Sequence, residues 1–298
     1  MSTDNNDNIL FADAEANYED AEFVLYDVPF DGTSTHRKGS EYAPRAIRQE
    51  SYNFESHILG YDIDLLTPPI MYDSGDIPEL KSLNQMLKSV ELSTHGVLDD
   101  NKFPIVIGGE HSLTPAVIKA FTSGKHTEFD NLLVVILDAH MDFRSQYLNL
   151  ENSHACTSRR VSELVGVENV YPVGTRSFSS EEKIDSEKMN LKYLTSFEIF
   201  EQSIEKELMN GLATFNNKAP IYLSLDMDVI DPAYAPGVGT PEPYGLTPLD
   251  IKKCIDLLAP RLVGFDVVEV SPPFDNGNTS SLAAMMIRTM VAAVKTKK

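Results

Sequence analysis

Short runs of apolar, mostly branched residues recur along the chain and alternate with longer amphipathic stretches. A short apolar run bounded by turn residues indicates a strand buried on both faces, and apolar positions three and four residues apart indicate a helix with one face on the core. The predicted strands are 23–28, 69–73, 103–109, 132–137, 170–174, 191–194, 220–225 and 262–268. The predicted helices are one beginning at Ala43-Pro44, then 79–96 and 114–121, and further ones near 155–165, 197–213, 247–258 and 280–295.

This alternation of strands and helices predicts an α/β fold with a mostly parallel sheet that helices cover on both faces. Residues 1–22 are acidic and polar and form a predicted N-terminal arm, mobile or loosely docked. Residues 23–298 form a predicted single domain, because no repeat, low-complexity tract or convincing linker interrupts them. In open sheets of this class the chemistry gathers at the carboxyl ends of the strands.

Polar side chains follow three of the predicted strands, 103–109, 132–137 and 220–225, at those carboxyl ends. Side chains of an extended chain alternate between two faces, so residues two apart within one motif point to the same side. Buried polar groups converging in this way make a poor core and a good cation site. The candidate ligands are His111, Asp138, His140, Asp142, Asp226 and Asp228.

Two imidazoles and four carboxylates are more than a single metal ion normally needs. Two divalent ions about 3.5–4 Å apart, sharing bridging carboxylates, would use all of them. Oxygen-rich ligation with two imidazoles favours manganese over zinc. Each motif alone also fits a turn or a helix cap; the coincidence of three motifs favours a two-metal site.

Acidic residues outnumber basic ones, with 45 Asp and Glu against 25 Lys and Arg and a formal net charge of −20. Such a surface repels phosphate backbones, so nucleic-acid binding is not expected, and it attracts small cations. Simple solubility is the alternative explanation of this charge. No apolar run approaches the roughly 20 residues that span a bilayer, and the N-terminus does not resemble a signal peptide. The only cysteines are Cys156 and Cys254, so a cytoplasmic protein without a disulfide framework or cysteine-based zinc site is expected.

Three segments resemble the signatures of the ureohydrolases, the family of arginase, agmatinase, guanidinobutyrase and formiminoglutamase. They are Gly-Gly-Glu-His-Ser at 108–112, Asp-Ala-His-Met-Asp at 138–142 and Ser-Leu-Asp-Met-Asp-Val-Ile-Asp-Pro at 224–232. Their order, spacing and strand context match together. The resemblance extends over nearly the whole chain beyond the arm, including 28–34, 39–48, 173–177 and 264–272.

The resemblance implies a three-layer α/β/α fold around an eight-stranded parallel sheet, two Mn²⁺ ions and a homo-oligomer, commonly a trimer or hexamer. It also implies how the ions are held. One ion would be bound by His111, Asp138, Asp142 and Asp226. The other would be bound by Asp138, His140, Asp226 and Asp228, so that Asp138 and Asp226 bridge the two.

The implied mechanism is attack on the guanidinium carbon by a hydroxide held between the two ions. Asp142 would accept the proton of the nucleophile and pass it to the departing amine. Glu269 follows a predicted strand and would pair with the guanidinium, since a planar cation needs a carboxylate facing its donors. His154 aligns with the proton-shuttling histidine of the family. The competing interpretations are a solvated strand end for Glu269 and an exposed loop histidine for His154.

Residues 235–242, Ala-Pro-Gly-Val-Gly-Thr-Pro-Glu, look agmatinase-like, and 143–153 lacks the polar pattern with which arginases bind the amino-acid end of arginine. The predicted reaction is therefore hydrolysis of agmatine to putrescine and urea, a step of polyamine biosynthesis. Aminopropylagmatine, 4-guanidinobutyrate and arginine stay open as substrates, because all of them carry the guanidinium. Arg144 in that loop can pair with a carboxylate, which only 4-guanidinobutyrate and arginine have. Two further functions compete with this one, a metal-binding protein without catalytic activity and a two-metal phosphoesterase, the latter disfavoured by the acidic chain.

Overall fold

Strands and helices alternate along the chain in the computed structural model, which describes residues 9–78, 80–123 and 126–297. The strands are β1 (Phe23–Val28), β2 (His57–Ile58), β3 (Ile63–Asp64), β4 (Met71–Asp76), β5 (Phe103–Gly108), β6 (Leu133–Leu137), β7 (Val170–Thr175), β8 (Leu194–Thr195), β9 (Ile221–Asp226) and β10 (Leu262–Val268). The helices are α1 (Ala43–Ser51), α2 (Leu83–Asp99), α3 (Thr114–Thr122), α4 (Thr157–Val165), α5 (Ser180–Met189), α6 (Ser196–Glu201), α7 (Ile204–Leu212), α8 (Pro248–Leu258) and α9 (Asn278–Lys297).

Eight strands form one sheet in the order β4-β1-β5-β10-β9-β6-β7-β8, and every pairing between them is parallel. Alternate residues of a strand enter different halves of the core. Leu133, Val135 and Leu137 belong to the half of the core that also contains residues of α1, α7, α8 and α9. Val134 and Ile136 belong to the half that contains residues of α2, α3 and α4. This confirms the predicted three-layer α/β/α fold and explains why β6 is apolar at every position.

All eight predicted strands have a counterpart in this sheet, although β8 is Leu194–Thr195 where 191–194 was predicted. The helices differ from the prediction in three places. The stretch 197–213 is two helices, because the backbone leaves the helical conformation at Gln202, the C-cap of α6. Extended Ser203 then caps α7 by accepting a hydrogen bond from the Lys206 N–H. Helix α5 was not predicted because it has no amphipathic pattern and buries only Glu182 and Ser186. The predicted helix 79–96 begins at Leu83, and its first residue lies outside the described part of the chain.

Residues 9–22 of the predicted arm are packed against the domain. Phe11 is buried and its N–H donates to Asp73 Oδ2 at 2.8 Å. Asp13 Oδ2 lies 2.6 Å from Arg288 Nε in a buried ion pair with α9. The arm is thus not loosely docked over these residues, while residues 1–8 lie outside the described ranges. A boundary between the arm and the domain at residue 23 stays a prediction.

Four neighbouring strands, β5, β10, β9 and β6, bring the polar motifs together at one edge of the sheet. Strand β10 lies between β5 and β9, so Glu269, which follows it, is placed among the motifs of the other three strands. Within the described residues, every helix is too short or too polar to cross a membrane.

Candidate metal centre and active site

The first ligand group surrounds the imidazole of His111. Its Nδ1 lies 3.2 Å from Asp138 Oδ2, 3.2 Å from Asp226 Oδ2 and 3.6 Å from Asp142 Oδ2. His111, Asp138 and Asp226 are buried and can hold one metal ion together. Three strands that are distant in sequence therefore supply one candidate metal site.

The second group shares Asp138 with the first and adds His140 and Asp228. The His140 Nδ1 lies 2.9 Å from Asp228 Oδ2 and 3.7 Å from Asp138 Oδ1. A carboxylate common to both groups is the arrangement that two neighbouring divalent ions require. Asp226 belongs to the first group but not to the second in this geometry, so its bridging role stays a prediction.

These side chains converge not only because residues alternate along a strand but also because two of the carboxylates cap backbone turns. Asp226 ends β9, and its Oδ1 accepts the Asp228 N–H at 2.9 Å across one turn of 3-10 helix. Asp138 Oδ1 likewise accepts the His140 N–H at 2.6 Å. One carboxylate oxygen therefore caps a turn while the other, Oδ2, faces His111. Asp142 has a left-handed φ of 47° and turns inward for that reason rather than through extended backbone.

The donor set fits a divalent cation. His111 Nδ1 and Asp138 Oδ2 are buried, and neither forms a hydrogen bond with any described residue. Orphaned buried polar atoms are costly, and a metal ion would satisfy both. Burial, together with the charges of Asp228 and Asp138, raises the pKa of Asp226 well above its usual value. Burial and the charge of Asp138 do the same to the pKa of Asp142, and a cation among these carboxylates would reverse both shifts.

Groups behind His111 orient its ring. Its Nε2 lies 2.9 Å from Ser224 Oγ, which donates to Asp266 Oδ1 at 2.6 Å. Hydrogen bonding of Nε2 in this way leaves Nδ1 as the metal-binding nitrogen. Neither Ser224 nor Asp266 was predicted to support the site, although polar residues inside the apolar strands β9 and β10 are the signal that could have identified them.

The second histidine is supported from a different loop. His140 Nε2 lies 3.5 Å from Glu242 Oε1, and Thr240 Oγ1 donates to Asp228 Oδ2 at 3.2 Å. Both supporting residues come from the segment 235–242 that was noted for its resemblance to agmatinases. Their contacts with His140 and Asp228 were not predicted, because the segment follows β9 through a long loop without regular structure.

The three predicted catalytic residues, Asp142, His154 and Glu269, line one pocket of about 290 Å³ beside the ligand groups. Glu269 has a φ of 66° and its Oε1 accepts the His111 N–H at 2.7 Å. It is 7% exposed, so it is not a solvated strand end. Burial, then the neighbouring charge of Glu110, raises the pKa of Glu269 to about 8. A guanidinium cation would stabilise its charged form.

His154 begins a short turn before α4 and is partly buried rather than exposed. Its Nδ1 lies 3.0 Å from Thr33 Oγ1. Burial, followed by the positive charges of His111 and His140, lowers the pKa of His154 to about 4. The imidazole is therefore neutral near pH 7 and can accept a proton.

Comparisons with known proteins show which family this chain resembles. A model of the Arginase family matches residues 21–292. The structure of the agmatine ureohydrolase of Thermoplasma volcanium is 40% identical, with a TM-score of 0.89, and the match covers 97% of this chain and 94% of that one. The agmatinase of Bacillus subtilis (strain 168) is 34% identical over 95% of both chains.

The N(1)-aminopropylagmatine ureohydrolase of Thermococcus kodakarensis is 32% identical over 93% of this chain and 92% of that protein. The resemblance to the ureohydrolases, which rested on three short motifs, is thus confirmed over nearly the whole chain. The ligand assignment of each residue stays a prediction that rests on the site geometry. Because the family model spans residues 21–292 and close relatives match from end to end, this chain belongs to the arginase family.

Proposed function

We propose that this protein hydrolyses agmatine to putrescine and urea. The observation that carries the proposal is the pocket itself, where Glu269 faces the same space as both ligand groups. A buried carboxylate beside a metal centre suits a guanidinium that must be held for attack. Similarity to an agmatinase and to an agmatine ureohydrolase supports agmatine as the guanidino compound.

The groups around His111 and His140 would each hold one divalent ion, which we propose to be manganese because oxygen ligands dominate. When bound, the ions would supply hydroxide from water at neutral pH and stabilise negative charge on the reacting group. The division of the six ligands between the two ions is the one that the family resemblance implies. His111 and Asp138 fit this role because their facing atoms have no other partner among the described residues.

The remaining chemistry falls to side chains of the chain itself. Glu269 would pair with the guanidinium and orient its carbon toward the metal groups. Asp142, whose Oδ2 lies 3.6 Å from His111 Nδ1, would accept the proton of the attacking water and return it to the departing amine. His154, neutral at pH 7, would exchange that proton with solvent at the pocket wall.

The outer pocket wall carries an ion pair that bears on the substrate tail. Arg144 lies 3.2 Å from the buried carboxylate of Glu182 and 5.1 Å above the Tyr147 ring. Glu182 also accepts the Phe143 N–H at 3.0 Å, so it is held in place from two sides. Because Glu182 already neutralises Arg144, a substrate carboxylate would compete with it. This favours the ammonium tail of agmatine over the carboxylate of 4-guanidinobutyrate or arginine.

The direct test is urea release by the manganese-loaded protein from agmatine, aminopropylagmatine, 4-guanidinobutyrate and arginine at matched concentrations. The proposal expects the highest kcat/KM for agmatine. Aminopropylagmatine is the second candidate substrate, because a ureohydrolase for it is 32% identical to this chain. A higher kcat/KM for aminopropylagmatine would make it the proposed substrate instead of agmatine. Metal binding without urea from any of the four compounds would identify a non-catalytic relative.

Replacing His154 with asparagine should lower kcat by about 100-fold, the lower range for loss of a general base. The loss should be uniform across pH 5–10, because His154 has a pKa of about 4 and stays neutral over that whole range. Steady-state rates between pH 5 and 10 measure both the size and the uniformity of the loss. The control is His126→Asn, since His126 bonds Asp99 outside the pocket. A wild-type kcat in His154→Asn would remove His154 from the proton path.

Arg144→Gln should shift preference further toward cationic tails, because it leaves the negative charge of Glu182 without its positively charged partner. The ratio of kcat/KM for agmatine to that for 4-guanidinobutyrate should rise about 5-fold, which corresponds to roughly 1 kcal/mol for a partly exposed charge pair. Arg160→Gln on α4 is the matched control, since Arg160 does not line this pocket. An unchanged ratio would show that Arg144 does not select the tail.

Four further expectations stay predictions of the family resemblance and the composition. They are a trimeric or hexameric assembly, a place in polyamine biosynthesis, a cytoplasmic location and the absence of nucleic-acid partners. A phosphoesterase is disfavoured by the pocket, where Glu182 already binds Arg144, the only arginine or lysine among its lining residues.

A further inference from the structure

Glu110 is a buried carboxylate next to the candidate ligand His111, yet its oxygens bind a different part of the chain. It is 1% exposed. Oε2 accepts the N–H groups of Thr33 and Ser34 at 2.7 and 2.8 Å and the Ser34 hydroxyl at 3.2 Å. Oε1 accepts the Thr33 and Ser112 hydroxyls at 2.7 and 2.6 Å. Five donors thus converge on one carboxylate, which anchors the loop between β1 and α1.

The Thr33 hydroxyl connects this carboxylate to His154. Its oxygen lies 2.7 Å from Glu110 Oε1, 3.0 Å from the His154 backbone nitrogen and 3.0 Å from His154 Nδ1. A hydroxyl has one proton to donate and two lone pairs that accept. The proton goes to the carboxylate, and the backbone N–H of His154 uses one lone pair. The second lone pair is left for Nδ1, which then donates a proton to it at 3.0 Å. The Ser153 hydroxyl is the more distant contact of the same nitrogen, at 3.4 Å, and its proton can rotate away.

We propose that Glu110 and Thr33 are positioning residues that hold neutral His154 as its Nδ1–H tautomer and leave Nε2 as the proton acceptor. This proposal rests on the proposed function in one respect only, which is that Nε2 of His154 accepts a proton during hydrolysis. Within the described part of the chain, Nε2 of His154 forms no hydrogen bond, and the residue lines the pocket. The free lone pair is therefore available to a proton donor in the pocket.

The same anchor also places part of the pocket wall. Thr35, two residues after Thr33, lines the pocket together with His154. Glu110 binds the backbone of residues 33 and 34 through two N–H groups, so the loop and the imidazole are fixed from a single carboxylate. A change at Glu110 that keeps these backbone bonds should alter the tautomer without releasing the loop.

Glu110→Gln makes that change. The amide oxygen can replace Oε2 and keep both backbone bonds, while the amide NH₂ takes the place of Oε1. This NH₂ would donate to Thr33 Oγ1, whose proton would then turn to His154 Nδ1. The expected result is reversal of the tautomer, with the proton on Nε2 and none on Nδ1.

The measurement is long-range ¹H–¹⁵N correlation spectroscopy of full-length protein with ¹⁵N-labelled histidines, loaded with diamagnetic Zn²⁺. The seven histidines make the spectrum assignable, with His154→Asn identifying the relevant signals. Wild-type protein should show the Nδ1–H pattern for His154, and Glu110→Gln the Nε2–H pattern. An Nε2–H pattern in the wild type, or an unchanged pattern in a folded Glu110→Gln variant, overturns the proposal.

Thr33 variants test the same relay, the hydrogen bonds from Glu110 through Thr33 to His154, and they leave Glu110 unchanged beside the candidate ligand His111. Thr33→Val removes the hydroxyl and should populate both tautomers, whereas Thr33→Ser keeps the oxygen and should restore the Nδ1–H form. Thr94→Val is the matched control, since Thr94 on α2 is also a buried threonine and its hydroxyl bonds the Tyr26 hydroxyl of β1, away from the pocket. A wild-type tautomer in Thr33→Val would overturn the proposal even if Glu110→Gln did not fold.

Kinetics with the manganese-loaded enzyme and agmatine separate positioning from binding. In Glu110→Gln and Thr33→Val, kcat should fall about 10- to 100-fold, within the range for losing a correctly placed base. The KM should change less than about 2-fold, because Glu269 still binds the guanidinium. Reversal of the tautomer without urea release from any protein would support the relay and reject the proposed function. Urea release with an unchanged tautomer and unchanged kcat in both variants would support the proposed function and reject the relay.

Discussion

The Asp226→Asn variant is expected to lose metal-dependent urea release, with divalent-ion affinity reduced by more than about 100-fold. Loss of a partner that only supports a ligand already costs about 10–100-fold in affinity, and Asp226 supplies an oxygen 3.2 Å from His111 Nδ1. Asparagine keeps the size and can keep the cap on the Asp228 N–H through its carbonyl oxygen. The NH₂ group would then occupy the position of Oδ2, where it cannot bind a cation.

Metal content by elemental analysis, calorimetric titration of Mn²⁺ and urea release together test this expectation. Asp256→Asn on α8 is the matched control, because Asp256 pairs with Lys252 and Lys297 outside the pocket. Far-ultraviolet circular dichroism establishes that both variants are folded. Full metal content and activity in folded Asp226→Asn would eliminate Asp226 as a ligand.

The second large effect is expected for Glu269→Gln, which should keep the metal and lose turnover. Removing one partner of a buried, hydrogen-bonded charge pair costs about 2–5 kcal/mol, or about 30-fold or more in kcat/KM for agmatine. The glutamine oxygen can still accept the His111 N–H, as Glu269 Oε1 does at 2.7 Å. The position of Oε2 would hold an NH₂, which cannot accept a hydrogen bond from a guanidinium.

The diagnostic result is the separation of metal content from rate. Elemental analysis should give the wild-type metal content, while steady-state kinetics with agmatine show the loss. Glu187→Gln on α5 makes the same change at an exposed residue that pairs with Lys183 and should behave as the wild type. Wild-type kinetics in Glu269→Gln would exclude guanidinium pairing by this carboxylate, whereas loss of metal would assign it to the metal centre instead.

The strands and the ligand types were predictable because both depend on local sequence. Strand β6 is buried at all five positions, and such a strand must be continuously apolar whichever strands flank it. Polar residues come directly after the buried strands β6 and β9. They could therefore be recognised in the sequence as candidate ligands before the structure showed which residues they contact. Helix α5 was not predictable in this way, because it lacks an apolar face and its N-terminus rests on the Ser179–Glu182 capping box.

The candidate ligands were expected to converge because side chains alternate along an extended chain, and this accounts for only part of the observed geometry. Alternation along an extended chain does bring His140 near Asp138, but Asp142 and Glu269 face the pocket with left-handed φ values of 47° and 66°. Such a backbone is uncommon for residues other than glycine and persists where the surrounding structure enforces it. No pattern of residue types in the sequence marks these two positions as left-handed.

By itself, the sequence determined the α/β class, the eight strands, the six candidate ligands and, through its motifs, the family. Each of these depends on residue type and on spacing within a short segment. Only the tertiary structure decided which strand ends are neighbours and which atoms meet. The order β5-β10-β9-β6 places Glu269 among the ligands. Thr33 reaches Glu110 across 77 positions and His154 across 121, distances over which contacts are set by the packing of the sheet and its loops rather than by any local pattern.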